Sequence, residues 1–183
     1  YKSLYIMTEV IIVNDARIIS QIKAGKKELF DTLIKKYYDS IYCYCYRHVD
    51  NKMTAQDLTQ DVFVTVINNI ENYKHYGKFE NYLYVIAKNK CKDFWKKKQP
   101  IYLESLDKEI SNQELSDIEN KMFIKEALTK LPELEFEVII LRYYHDLKFK
   151  DIAKIMESSV SVTKYRMSRA LKKLELYLEG GKL

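Results

Sequence analysis

Apolar residues recur along most of this chain every three or four positions, the period of a helix with one buried face. Phe30, Leu33, Ile34, Tyr37 and Ile41 keep that spacing, and so do Val62, Phe63, Val66, Ile67 and Ile70. Phe79, Leu83, Ile86, Ala87 and Phe94 repeat it once more. Thr54, with Asp57 three residues on, reads as an N-cap followed by an acidic first turn. The pattern resumes near residue 120. Leu128 and Leu131 close one helix, and Pro132 can open the next, whose apolar side is Val138, Ile139 and Leu141. Phe149, Ile152, Ala153 and Met156 then describe a short helix, which Glu157-Ser158-Ser159 interrupts. Ser159 is a good N-cap for a longer helix that buries Thr163, Met167, Ala170, Leu171, Leu174 and Leu178.

The predicted fold is all-α, in two small helical domains. Between them, residues 99–119 open with Pro100 and carry Glu104, Asp107, Glu109, Glu114, Asp117 and Glu119 against a lone Lys108. Their apolar residues are scattered, so the stretch reads as a flexible acidic linker that stays off DNA. The predicted domains are therefore 7–98 and 120–178; Tyr1–Ile6, ahead of Met7, carry little weight.

Composition narrows the class. Only 4 Gly and 2 Pro among 183 residues leave few forced turns, in keeping with helices. Most of the 16 Tyr are expected in or near a core. Cys43, Cys45 and Cys91 are an odd set without a disulfide framework, and Cys43-Tyr44-Cys45 is not a zinc spacing. They are read as reduced thiols of a cytoplasmic protein. No apolar run approaches the roughly 18 residues of a membrane span, and the N-terminus lacks a signal pattern. His48, His75 and His145 form no recognisable metal or nucleophile constellation, so neither enzyme activity, metal nor cofactor is expected.

The net charge of +5 permits a polyanionic partner without demanding one, so the distribution of charge decides. Short helix, brief break and longer helix over Phe149–Leu178 is the helix-turn-helix plan. Opposite the buried side of the second helix stand Ser161, Val162, Tyr165, Arg166, Ser168, Arg169, Lys172 and Lys173, with no acid before Glu175. A merely solvated face usually mixes both signs. Cations interleaved with hydroxyls suit phosphates and base edges better. Arg166 and Arg169 are the candidates for bidentate contact to guanine or phosphate, and Lys172 and Lys173 for phosphate anchoring.

A second basic segment lies upstream. Lys88, Lys90, Lys92, Lys96, Lys97 and Lys98 crowd one helix end, with Asp93 the only acid, and Tyr82, Tyr84, Asn89, Phe94 and Trp95 lie among them. The loop Tyr73-Lys74-His75-Tyr76-Gly77-Lys78-Phe79 precedes them. Lysines that track a backbone, with aromatic faces for unpaired bases, suit single-stranded DNA. Helically spaced aromatics also make cores, and both readings stand for each ring.

These segments, taken in order, resemble the sigma-70 superfamily of bacterial sigma factors. Asp57-Leu58-Thr59-Gln60-Asp61-Val62-Phe63 resembles its DLTQDVF signature. Phe79 with Tyr82-Leu83 and Ile86-Ala87-Lys88-Asn89 resembles F..WL..IA.N. Leu131-Pro132-Glu133, Val138 to Tyr143 and Phe149 to Ala153 are similar to LPE…V..LR…..Y.EIA, and Thr163–Ala170 to VKSRLHRA. The resemblance covers about Phe30 to Leu174, and the short linker points to the extracytoplasmic-function (ECF) group.

By position, the resemblance implies that Asp57, Gln60 and Asp61 dock on the clamp helices of the β′ subunit of RNA polymerase core. Tyr73, Lys74, His75, Tyr76 and Lys78 would form the loop that receives a flipped base of the −10 element, with Tyr84, Lys88, Asn89, Lys92 and Lys96 beside it. Ser161, Tyr165, Arg166, Ser168, Arg169, Lys172 and Lys173 would read the −35 duplex. The C-terminal domain would also meet the β flap, the linker would thread toward the active-site channel, and an anti-sigma factor is an expected partner.

There are departures. Tyr82 stands where Trp is usual, Glu157-Ser158-Ser159 lacks the usual turn glycine, and Thr163 replaces Val with a hydroxyl able to bond back to its helix. Tyr165 replaces a small residue, so the family's promoter preferences do not carry over. The rival reading is a free-standing helix-turn-helix regulator that binds duplex without polymerase. Such a protein has no use for the Asp57–Phe63 motif beside a single-strand site.

Overall fold

A computed structural model describes residues 15–74, 77–98 and 123–180. They fall into two compact units, with the boundary between Lys92 and Asp93. The acidic stretch 99–119, His75 and Tyr76 lie outside the described residues.

In the first unit, α1 (Asp15–Lys23) leads through a 3-10 turn (Lys27–Leu29) into α2 (Phe30–Val49), and α3 (Lys52–Asn69) follows. A second 3-10 turn (Ile70–Asn72) and the aromatic loop lead into α4 (Phe79–Lys98). The predicted spacing places Phe30, Leu33, Tyr37 and Ile41 in the core of α2, and Val62, Phe63, Val66 and Ile70 in the core beyond it. Ile34 is half-buried and Ile67 exposed.

The start of α3 differs from expectation. Its N-cap is Asn51, whose Oδ1 accepts from the Thr54 N–H at 2.9 Å, so Thr54 sits inside the helix. The reason lies in the connection. Asp50 closes α2 in the left-handed region at φ 51°, and Asn51 is the next extended residue, ready to cap the reversed chain. Tyr38 of α2 stacks on Phe63 of α3 at 6.2 Å, and along α2 itself Tyr38 stacks on Tyr42 at 6.5 Å and Tyr42 on Tyr46 at 6.2 Å. Part of the tyrosine content thus serves helix packing.

The second unit holds α5 (residues 123–129), α6 (Glu133–Ile139) running into a π-turn (Ile140–Tyr144), α7 (Phe149–Ile155) and α8 (Val160–Leu178). Val138, Ile139, Leu141, Ile152, Ala153, Met156, Met167 and Ala170 form its core. Leu171 and Leu178 were expected there and are exposed, and Leu174, also expected there, is half-buried. All three cysteines are free, Cys45 and Cys91 buried and Cys43 exposed. Among the described residues no helix is long and apolar enough to cross a membrane.

Asn51→Ala removes the side-chain cap of α3 and should cost about 1 kcal/mol of unfolding free energy, read as a lower urea midpoint at unchanged slope.

Candidate nucleic-acid interface

The exposed side of α3 carries Asp57, Gln60 and Asp61, with Met53 and Val64 on the same solvent side, while Leu58, Thr59 and Val62 turn inward. Thr59 sits in the core because its hydroxyl donates to Ala55 O at 2.7 Å. Residues four apart lie above one another on a helix, so Asp57 and Asp61 form one acidic edge among apolar neighbours.

The base of the aromatic loop is built from rings. Tyr73 meets Phe79 edge-on at 5.5 Å and tilts on Tyr82 at 4.7 Å, and Tyr37 meets Phe79 edge-on at 5.8 Å. Burial raises the phenol pKa of Tyr73 and Tyr82, and for Tyr73 the Asp15 charge adds to it. Tyr37 is raised further by burial and by its hydrogen bond of 2.6 Å to Asp15. Lys23 closes the base from outside. Its ammonium donates to Glu71 O at 3.0 Å and Tyr73 O at 2.6 Å. Sequence reasoning missed Lys23, because a contact across about fifty residues leaves no periodic trace. Gly77, at φ 110°, is where the loop uses a backbone region closed to most side chains. Lys74 and Lys78 are exposed on either side of His75 and Tyr76.

Along α4, Lys88, Lys92 and Lys96 recur every four residues beside Asn89. Lys88 is half-buried and the others are exposed; Lys96 lies 3.9 Å from Asp93. Tyr84, one turn before Lys88, was expected to contact DNA. It is 1% exposed and packs edge-on against Tyr44 at 5.4 Å, so it is a core residue of the α2–α4 contact. The stripe leaves the core only at Lys88. Trp95 is 49% exposed among these lysines, with the Phe94 ring 5.5 Å away.

In the second unit the turn expected between two helices is present. Glu157 takes φ 49°, so the position usually given to glycine is indeed left-handed and is held by a larger residue. Around it, Glu157 N donates to Lys154 O at 3.2 Å and Ser158 N to Ala153 O at 2.9 Å. Ser159 caps α8, its Oγ accepting from Val162 N at 3.1 Å. Thr163 is fully buried. Its hydroxyl donates to Ser159 O at 2.9 Å and lies 3.0 Å from Ser158 Oγ. The hydroxyl that distinguishes it from valine therefore ties turn to helix. Arg142 braces the entry to α7, reaching Asp146 at 3.2 Å and Leu147 O at 3.1 Å, with its guanidinium 5.7 Å from the Phe149 ring.

The face of α8 away from this core exposes Ser161, Tyr165, Ser168, Arg169 and Lys172, while Arg166 and Lys173 are half-buried. Two of its cations have an internal partner. Glu135 of α6, only 5% exposed, pairs through Oε1 with Arg169 Nε at 3.2 Å and through Oε2 with Lys173 Nζ at 2.8 Å. Both contacts are ion pairs, held by charge attraction. Among the described residues no group of three or more His, Cys, Asp or Glu could hold a metal ion.

Known proteins with this arrangement identify the class. The family described as Sigma-70 region 2 matches residues 33–101, and Sigma-70, region 4 matches 124–174. The ECF RNA polymerase sigma factor SigW of Bacillus subtilis is 30% identical over 178 residues, covering 87% of this chain and 94% of that one. RNA polymerase sigma factor YlaC of the same organism is 26% identical, covering 82% and 91%. Two solved structures share the fold. CnrH, in complex with the cytosolic domain of CnrY, has a TM-score of 0.72 at 19% identity, over 90% of this chain and 97% of that one. The sigma factor RpoE of Bartonella quintana, in complex with the anti-sigma factor NepR, has a TM-score of 0.65 at 21% identity, over 82% and 96%.

The chain belongs to the sigma-70 family of RNA polymerase sigma factors, in its ECF group. It is an alternative sigma factor that directs RNA polymerase to promoters, in a family of non-enzymatic initiation factors.

Two outcomes follow for the first unit. Lys23→Met should speed amide exchange at residues 70–74 while lowering global stability by less than about 1 kcal/mol, since the lost bonds are exposed. The raised phenols of Tyr37, Tyr73 and Tyr82 favour the folded state only while protonated in both states. Stability is full below the unfolded tyrosine value of about 10 and falls as pH rises past it, and Tyr37→Phe should flatten that decline in an unfolding series.

Proposed function

We propose that the two units divide promoter recognition between them. The α3 edge of Asp57, Gln60 and Asp61 docks on the β′ clamp helices of core polymerase. The loop from Tyr73 to Lys78 (with His75 and Tyr76) takes an unpaired base of the −10 element, and Lys88, Asn89, Lys92 and Lys96 hold its strand. In the second unit Ser161, Tyr165, Arg166, Ser168, Arg169 and Lys172 face the −35 duplex. On this reading residues 7–98 and 120–178 are the working domains, the acidic stretch 99–119 links them, and the second domain also meets the β flap.

The observation that carries the proposal is the sign of charge on separate faces. The exposed edge of α3 is acidic and partly apolar, as suits a protein partner. The exposed sides of α4 and α8 are cationic and carry hydroxyls or aromatics, as suits nucleic acid. A free-standing regulator would need only the last of these. The protein works in the cytoplasm, and its mechanism involves no chemical step and no cofactor.

An anti-sigma factor is the expected regulator. Similarity to a sigma factor solved with an anti-sigma factor supports this, as does the exposure of Met53, Val64, Phe123, Ile124 and Leu134.

Run-off transcription with purified core enzyme on sheared genomic DNA of the source bacterium tests the reading. Promoter-dependent transcripts should appear only with this protein present, and their absence on every template would overturn it. Asp57→Lys with Asp61→Lys should lower core affinity about tenfold or more, measured by competition against a labelled sigma factor, while the second unit keeps its fold.

A further inference from the structure

Glu135 has no place in the division of labour above, yet it is a buried carboxylate paired with two cations of α8. It comes from another helix, and it binds the two cations through different oxygens. We propose that Glu135 and Tyr165 are positioning residues that lock the Arg169 guanidinium in a base-reading orientation, and that Lys173 is the brace of this device. The inference rests on α8 being the duplex-reading helix.

The chemistry follows from where each donor goes. A guanidinium has five N–H groups in a fixed plane, one on Nε and two on each terminal nitrogen. Nε lies 3.2 Å from Glu135 Oε1, an ion-pair contact. The carbon at the centre of the plane lies 5.8 Å from the Tyr165 ring centroid, within the range of a cation–π contact. Tyr165 and Arg169 are one turn apart on the same face, and Tyr165 is 61% exposed. The arginine is thus held at its edge by a buried anion and against its face by a ring. The two terminal nitrogens remain for an outside ligand. A pair of parallel donors in a fixed plane matches the O6 and N7 acceptors of guanine in the major groove.

Lys173 completes the arrangement. Removing a carboxylate from water is costly, and Lys173 adds a second cation beside Glu135 at 2.8 Å. A long, loosely held arginine meets phosphate as readily as a base, so the orientation, more than the charge, sets sequence preference. A glutamine at 135 would keep the size of the side chain and lose the charge that holds Nε. An alanine at 165 would remove the ring and leave α8 otherwise intact.

The test is transcription by reconstituted holoenzyme from a template library randomised across the −35 region, with sequencing of the templates that yield transcript. Wild type should show a guanine preference at one position that Arg169→Lys lowers about tenfold or more, which identifies the base that Arg169 reads. Glu135→Gln should weaken the preference at that same position several-fold and leave the other −35 positions unchanged, and Tyr165→Ala should weaken it at that position by at least as much. Tyr165→Phe, which keeps the ring, should restore most of what Tyr165→Ala loses. Unchanged preference in Glu135→Gln and Tyr165→Ala overturns the inference, as does an equal loss at every position, which would make Glu135 a brace of the fold alone. An Arg169-independent pattern overturns it too. A library in which the wild-type protein enriches nothing contradicts the duplex-reading role of α8 itself, a separate outcome that takes this inference with it.

Discussion

Reversing the chain between α7 and α8 without a glycine is the constraint on which the second unit depends. A non-glycine residue at positive φ costs about 1 kcal/mol, and here Glu157 bears it. Backbone bonds from Glu157 and Ser158 back onto α7 offset that cost, and Thr163 adds a buried hydroxyl that links Ser158 and Ser159 to the first turn of α8. Helix α8 is therefore fixed at its start by hydrogen bonds rather than by a permissive turn residue. With Met167 and Ala170 buried, its rotation is set, and so is the direction in which Tyr165, Arg169 and Lys172 face.

The first unit solves a different problem. The proposed capture of an unpaired base takes a pocket that does not collapse when empty, because unstacking costs a few kcal/mol that a fitted site must recover. Rings of Tyr37, Tyr73, Phe79 and Tyr82 give the loop a rigid floor, and Lys23 ties two of its root carbonyls to α1. Beyond that floor α4 leaves the core, and its lysines begin. A stiff aromatic base and a cationic stripe thus adjoin along one helix.

Local periodicity made much of this legible. The buried faces of α2 and α3, the outward side of Asp57, Gln60 and Asp61, the Ser159 cap and the exposed cations of α8 all follow from spacing and capping chemistry. The errors share a cause. Thr54 looked like a cap because it precedes an acid, but the left-handed Asp50 places the turn three residues earlier, at Asn51. Tyr84 shares the stripe of Lys88 and Lys92, yet it packs on Tyr44, forty residues away. Leu171 and Leu178 keep the period of the buried side of α8, yet both are exposed. Lys23 and Glu135 act across long sequence separations, and no pattern along the chain marks them. Family resemblance alone carries the reading of the acidic α3 face as a docking edge; spacing leaves it as a solvated face.

The central claim is that α8 reads promoter duplex as part of a polymerase assembly. Replacing Tyr165 with a photoreactive phenylalanine analogue and irradiating promoter complexes tests it most directly. The account predicts a crosslink to bases of the −35 duplex, formed efficiently only when core polymerase is present. A crosslink of equal yield without core, or one confined to polymerase subunits, would contradict it.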